Sequence, residues 1–126
     1  PVATTLQEVE SNDTTASANV IGATITKVTG AISSGQDVDT FALTLVAGQG
    51  VLLTLTPPPG MLYGLSVFQG AATPGLLIQK PLPSAGATAI RIPPPPPSAT
   101  EVKVYIQIYS ANGQGSASPY GLSIQR

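Results

Sequence analysis

The sequence contains no cysteine and no histidine. Without thiols there is no disulfide framework, thiolate metal site or cysteine nucleophile. Without imidazole there is no histidine-dependent triad, zinc site or haem ligation. Charged residues make up 9% of the chain, against about 25% in an ordinary domain. The net charge of −1 is a poor match for a nucleic-acid partner, whose phosphates require many cations. No apolar run approaches the ~20 residues of a membrane-spanning helix. Helical periodicity is absent too, because Gly or Pro interrupts every window in which it could develop.

What remains is uncharged and turn-rich. The 126 residues include 13 Gly and 13 Pro, with 42% hydrophobic residues, so a single domain over 1–126 can bury a core of its own and disorder is excluded. A surface of Thr, Ser, Gln, Asn and Gly with few charges suits a secreted prokaryotic protein, outside the cell or on its surface. The chain opens on Pro1, which is read as a removed leader or an excised piece.

The few charges are segregated. Glu8, Glu10, Asp13, Asp37 and Asp39 fall in the first 39 residues with Lys27 alone against them, a local charge of −4. Beyond residue 39, Lys80, Arg91, Lys103 and Arg126 face only Glu101, a charge of +3.

Alternating segments recur along the chain. Phe41, Leu43 and Leu45 share one face of a strand. So do Leu53 and Leu55, Leu65 and Val67, Val104, Ile106 and Ile108, and Leu122 and Ile124. These residues are the expected core. Turn signals separate the segments, among them Ala47-Gly48, Pro57 to Gly60, Thr73-Pro74-Gly75 and Asn112-Gly113. The fold class expected is all-β, an antiparallel β-sandwich of about eight strands.

Three stretches carry a family resemblance. They are Glu8-Val9-Glu10-Ser11-Asn12-Asp13-Thr14; Gly30 to Ser33 with Asp37-Val38-Asp39-Thr40-Phe41 and Ala47-Gly48-Gln49; and Val102 to Ser110 with Tyr120-Gly121-Leu122-Ser123-Ile124. In this order they resemble the bacterial pre-peptidase C-terminal domain, a jelly-roll-like β-sandwich related to the collagen-binding domains of clostridial collagenases. The resemblance implies calcium near the N-terminal segment, substrate adhesion or targeting, and no catalysis.

The residues support calcium on their own chemistry. Glu8 and Glu10 lie two apart, as do Asp37 and Asp39, so each pair projects to one side of an extended segment. Asp37 and Asp39 are in phase with the apolar face of Phe41, where a carboxylate is costly unless neutralised. A hard cation taking ~6–8 oxygens would draw on Glu8, Glu10, Asp37 and Asp39, with Asn12 and Asp13 completing the shell. By resemblance these six positions match the family's metal-binding segments. The alternative is a turn capped by Asn12 and Asp13 with solvated acids.

Other features are less specific. Asn12-Asp13-Thr14 reads formally as an N-glycosylation acceptor at Asn12. Pro93 to Pro97 is a stiff polyproline II segment. Tyr105, Gln107 and Tyr109 lie opposite the apolar face of their strand, either as a binding surface for glycan or peptide or as ordinary packing. Residues 1–6, with Val2, Thr4 and Leu6 in alternation, form a candidate arm that adds to a neighbour's sheet or folds back on its own. The functional expectation is a non-catalytic, self-assembling structural subunit of a fibre or surface layer. The alternative is an adhesion module for collagen-like protein or polysaccharide.

Overall fold

A computed structural model describes residues 4–69, 76–79, 81–97 and 102–126. Val2 of the proposed arm, the Thr73-Pro74-Gly75 turn, Lys80 and Glu101 lie outside the described residues.

Among the described residues ten strands form two five-stranded sheets packed face to face. In chain order they are β1 (Thr5–Gln7), β2 (Asn19–Ile21), β3 (Lys27–Gly30), β4 (Val38–Leu45), β5 (Val51–Thr56), β6 (Tyr63–Gln69), β7 (Leu76–Gln79), β8 (Thr88–Ile92), β9 (Val102–Ser110) and β10 (Tyr120–Gln125). The first sheet runs β1-β3-β10-β5-β8 and the second β2-β4-β9-β6-β7. The one helical element among the described residues is a 3-10 turn, Thr15–Ser17. The β-sandwich expected from the alternation is the observed architecture.

Alternation explains the core directly. Every residue named above as core is buried, from Phe41 on β4 to Ile124 on β10. Val28, Ile90, Ile92, Tyr63 and Tyr120 join them from the inner faces. Fully burying an aliphatic or aromatic side chain of this size contributes about 1.5–3 kcal/mol, so these inner faces supply most of the drive to fold. Polar positions face outward where the strand is solvated, as with Arg91 between buried Ile90 and Ile92. Gly113, at φ 77°, takes the left-handed conformation required by the Asn112-Gly113 turn.

The sheets are not purely antiparallel. β1 pairs in parallel with β3, and β2 in parallel with β4. The cause is the path of the first four strands, which alternate between the two sheets. Each return to a sheet therefore lays the chain beside the earlier strand in the same direction. The described residues hold ten strands rather than about eight, and β2, only three residues long, is one that no alternating segment signals.

Where it is described, the proposed arm is paired within its own domain. β1 is an edge strand of its own domain, with Leu6 opposite Val28 and packed against the core. The Thr4 carbonyl accepts from the Thr26 and Lys27 amides at 2.8 and 3.2 Å. Leu6 is half-buried against the core, so the described part of the segment lies along its own sheet.

Candidate metal centre

The start of β4 sets the floor of the site. Alternation turns Asp39 inward with Phe41, and its carboxylate is fully buried. Tyr120, at the start of β10 in the opposite sheet, donates its hydroxyl to Asp39 Oδ2 at 2.5 Å. Among the described residues Asp39 Oδ1 receives no donor.

The segment after β1 closes over this point. Glu8 Oε1 accepts from the Ala31 amide at 2.7 Å and Oε2 from Asn12 Nδ2 at 3.1 Å. Asn12 is fully buried. Its Nδ2 also donates to Asn19 Oδ1 at 3.0 Å, its backbone carbonyl accepts from the Thr40 amide at 2.8 Å, and its Oδ1 has no partner. Asn19 in turn pins the segment by exchanging hydrogen bonds with both backbone groups of Val9. Asp37 Oδ2 accepts from the amide and hydroxyl of Ser33 at 2.9 and 3.2 Å.

All five acids of the first third converge. Oxygens of Glu8, Glu10 and Asp39 lie within 4.8 Å of one another, as do those of Glu10, Asp13 and Asp37, so Glu10 belongs to both groups. The five acids read as metal ligands are thus one cluster, and Asn12 adjoins it through its bond to Glu8. Crowding like charges raises affinity for protons. Burial, a hydrogen bond with Glu8 and the charges of Glu8 and Asp37 push Asp39 up to about 9, against the pull of the Tyr120 hydroxyl. Glu10 rises to about 7 through burial of its carboxyl, a hydrogen bond with Glu8 and the charges of Asp37 and Glu8. Tyr120 and Tyr63 are raised by burial first and then by the Asp39 charge. Tyr63 stands edge-on to Tyr120, ring centroids 6.3 Å apart, with its hydroxyl buried and unpartnered.

The cluster fits a divalent cation. Its donors are all oxygen, it carries excess negative charge, and two buried oxygens, Asp39 Oδ1 and Asn12 Oδ1, lack partners. A buried polar atom without a partner costs about 1–3 kcal/mol, which a hard cation would relieve.

Tyr120, Asn19 and Gly30 were not anticipated as parts of the site. A Cβ on Gly30 would stand 2.6 Å from the Tyr120 hydroxyl and 2.9 Å from Glu8 Cδ, so only glycine leaves room for both side chains. One signal for Tyr120 was present: a tyrosine in phase with Leu122 and Ile124 must find a partner for a buried hydroxyl.

Two other expectations are corrected. Asn12 Nδ2, the atom a glycan would occupy, is committed to Glu8 and Asn19 in a fully buried side chain, which does not suit a glycosylated residue. Tyr105 is only 7% exposed, so Tyr105, Gln107 and Tyr109 do not form an open strip. Gln107 and Tyr109 are half-buried, and the Tyr109 ring lies where a Cβ on Gly64 would sit.

Charge is also separated along the strands. The acids gather where Asp39 pairs with Ile108 and Gly30 with Tyr120. Lys103 pairs with Thr44, and Gln125, Leu52 and Arg91 form one cross-strand row, all toward the other end. Six residues of strand between Tyr120 and Arg126 span about 20 Å.

No family model matches this sequence, and no curated protein matches it. The fold does have counterparts among solved structures. The pre-peptidase C-terminal domain of a collagenase from Bacillus anthracis superposes with a TM-score of 0.60 at 16% identity, covering 86% of this chain and 94% of that one. CorA, a surface-associated copper-binding protein of Methylomicrobium album BG8, superposes with a TM-score of 0.58 at 12% identity, covering 86% and 96%. The fold is therefore that of a pre-peptidase C-terminal domain.

Proposed function

We propose that the chain is a non-catalytic extracellular β-sandwich module, organised at one end by calcium, that works through contact as an adhesive or structural element. The observation carrying this reading is the fully buried Asp39, whose Oδ1 lacks a partner within a cluster of five carboxylates. Glu8, Glu10, Asp13, Asp37 and Asp39 would hold the ion, with Asn12 Oδ1 in reach of the same segment. Bound calcium would supply positive charge and tie the segment after β1 to β4. Copper, which CorA binds, is a poor match here, because copper favours imidazole and sulfur ligands and this cluster offers oxygen alone. Catalysis is disfavoured by a sequence without imidazole or thiol. The test is thermal unfolding with and without millimolar calcium. Calcium should raise the melting temperature by binding the folded state, and Asp39→Asn should abolish the shift while the fold persists. A wild-type chain indifferent to calcium would remove the site.

A second reading, self-association into a fibre or surface layer, draws on the charge separation. One divalent cation would leave the acidic end net negative, opposite Arg91, Lys103 and Arg126 at the far end, and complementary ends favour head-to-tail contacts. Sedimentation across a salt series tests it: association should be concentration-dependent and fall as salt screens the ends. A monomer at every salt concentration would leave adhesion as the function.

A further inference from the structure

The end of the sandwich remote from the acids carries a groove of about 370 Å³, lined by Gly50, Val51, Leu52, Arg91, Pro94, Gln125 and Arg126. We propose that this groove binds the acidic sugars of a uronate-bearing polysaccharide.

The groove is built from both edges of one row. Gln125 on β10, Leu52 on β5 and Arg91 on β8 are register partners, which sets an amide and a guanidinium on either side of an apolar side chain. Arg126 is fixed beside them. Its Nη1 donates to the Ile25 carbonyl at 2.6 Å and its Nη2 to the Gly22 carbonyl at 3.0 Å. Both acceptors are neutral, so they orient the guanidinium without cancelling its charge. Two of its five N–H donors are used in this way, and the rest remain to face a ligand. Pro94 forms a stiff wall on the polyproline segment. Gly50 lets that wall approach, because a Cβ there would stand 3.3 Å from Pro94 Cδ.

The chemistry of this lining selects its ligand. Guanidinium groups match a planar carboxylate with paired hydrogen bonds. The Gln125 amide both donates and accepts, as sugar hydroxyls require. Leu52 and Pro94 offer apolar surface to the CH face of a pyranose ring. The described carboxylates gather at the other end, about 20 Å away along the strands, well beyond the ~8 Å over which charges interact at physiological salt. Nucleic acid is disfavoured by a net charge of −1.

The test is titration of the full chain with a short oligogalacturonate at low salt without added calcium, using neutral dextran as the control. Binding should occur with oligogalacturonate and not with dextran, and should weaken as salt rises. Arg91→Gln should weaken it about tenfold or more, in line with the loss of a charge-assisted pair, while leaving both carbonyl bonds of Arg126 in place. Arg126→Gln should do the same, with its melting temperature recorded because those bonds are lost. Because no calcium is added, the outcome is separate from that of the calcium reading, which the melting test decides. The proposal is overturned if the wild type does not bind oligogalacturonate, or if Arg91→Gln binds it unchanged. It is also overturned if the arginine substitutions alter only self-association in sedimentation.

Discussion

Tyr120 and Asp39 join the two sheets across 81 residues of chain, through a buried hydrogen bond from the phenol to Oδ2. Among the described residues Asp39 Oδ1 receives no donor, so the phenol is the one donor given to the ionised carboxylate. Tyr120→Phe would leave both oxygens of the ionised carboxylate without a donor at almost unchanged volume. The expected cost is about 1–3 kcal/mol of stability, read in urea unfolding without metal. A variant as stable as the wild type would mean that water or another group replaces the phenol.

The raised carboxyls dictate how the metal-free protein responds to pH. Asp39 is held up at about 9 from an ordinary 3.8, and Glu10 at about 7 from 4.5. The folded state therefore binds more protons than the unfolded one between these limits. Stability from this source is fully present below the ordinary carboxyl values and is lost as pH rises through about 7 and then 9. The melting temperature without metal should fall from pH 5 to pH 9, and calcium should flatten the fall by taking the place of protons. A melting temperature that climbs over this range without metal would contradict the shifts.

Gly30 sets the clearance of the site, so Gly30→Ala tests its packing. The new methyl would press on the Tyr120 hydroxyl and on Glu8 Cδ and Cγ, the latter at 2.9 Å. Glu8 is the softer neighbour, and moving it would disturb its bond from the Ala31 amide. Gly30→Ala should therefore lower stability by about 1–3 kcal/mol and shrink the calcium-induced rise in melting temperature. Gly22→Ala is the control, since its Cβ would meet only Ile25 Cγ1 at 4.0 Å.

The contrast between Leu43 and Asn19 explains how much could be read from the sequence. Leu43 sits in an eight-residue strand whose alternation repeats often enough to name its inward face. The same is true of every strand that supplies the anticipated core. Asn19 opens a three-residue strand with no alternation to detect, and its place beside Phe41 arises from a parallel pairing that no local pattern encodes. The acids of the site were legible because two pairs at spacing two, one in phase with Phe41, are costly without a shared purpose. Their union into one cluster was not, because it depends on β1 and β4 belonging to opposite sheets. Proton affinities and the Gly30 clearance follow from that union, and so were equally hidden.

The edge strand β1 gives the last prediction. A free arm and an intramolecular edge strand predict opposite results when the segment is removed. A free arm that pairs with neighbours would, on deletion, leave a stable domain that associates less. In the observed arrangement β1 covers the edge of β3 through Thr5, Leu6 and Gln7 opposite Lys27, Val28 and Thr29. Leu6 also packs against the core beneath. Deleting residues 1–7 would uncover the backbone donors and acceptors of β3 and part of the apolar core, and an uncovered strand edge is a template for pairing with other chains. The melting temperature should fall and association should rise. Circular dichroism melts and sedimentation of the truncated and full chains at matched concentration measure both. A truncated chain that keeps its melting temperature and associates less would reinstate the segment as a strand given to a neighbour.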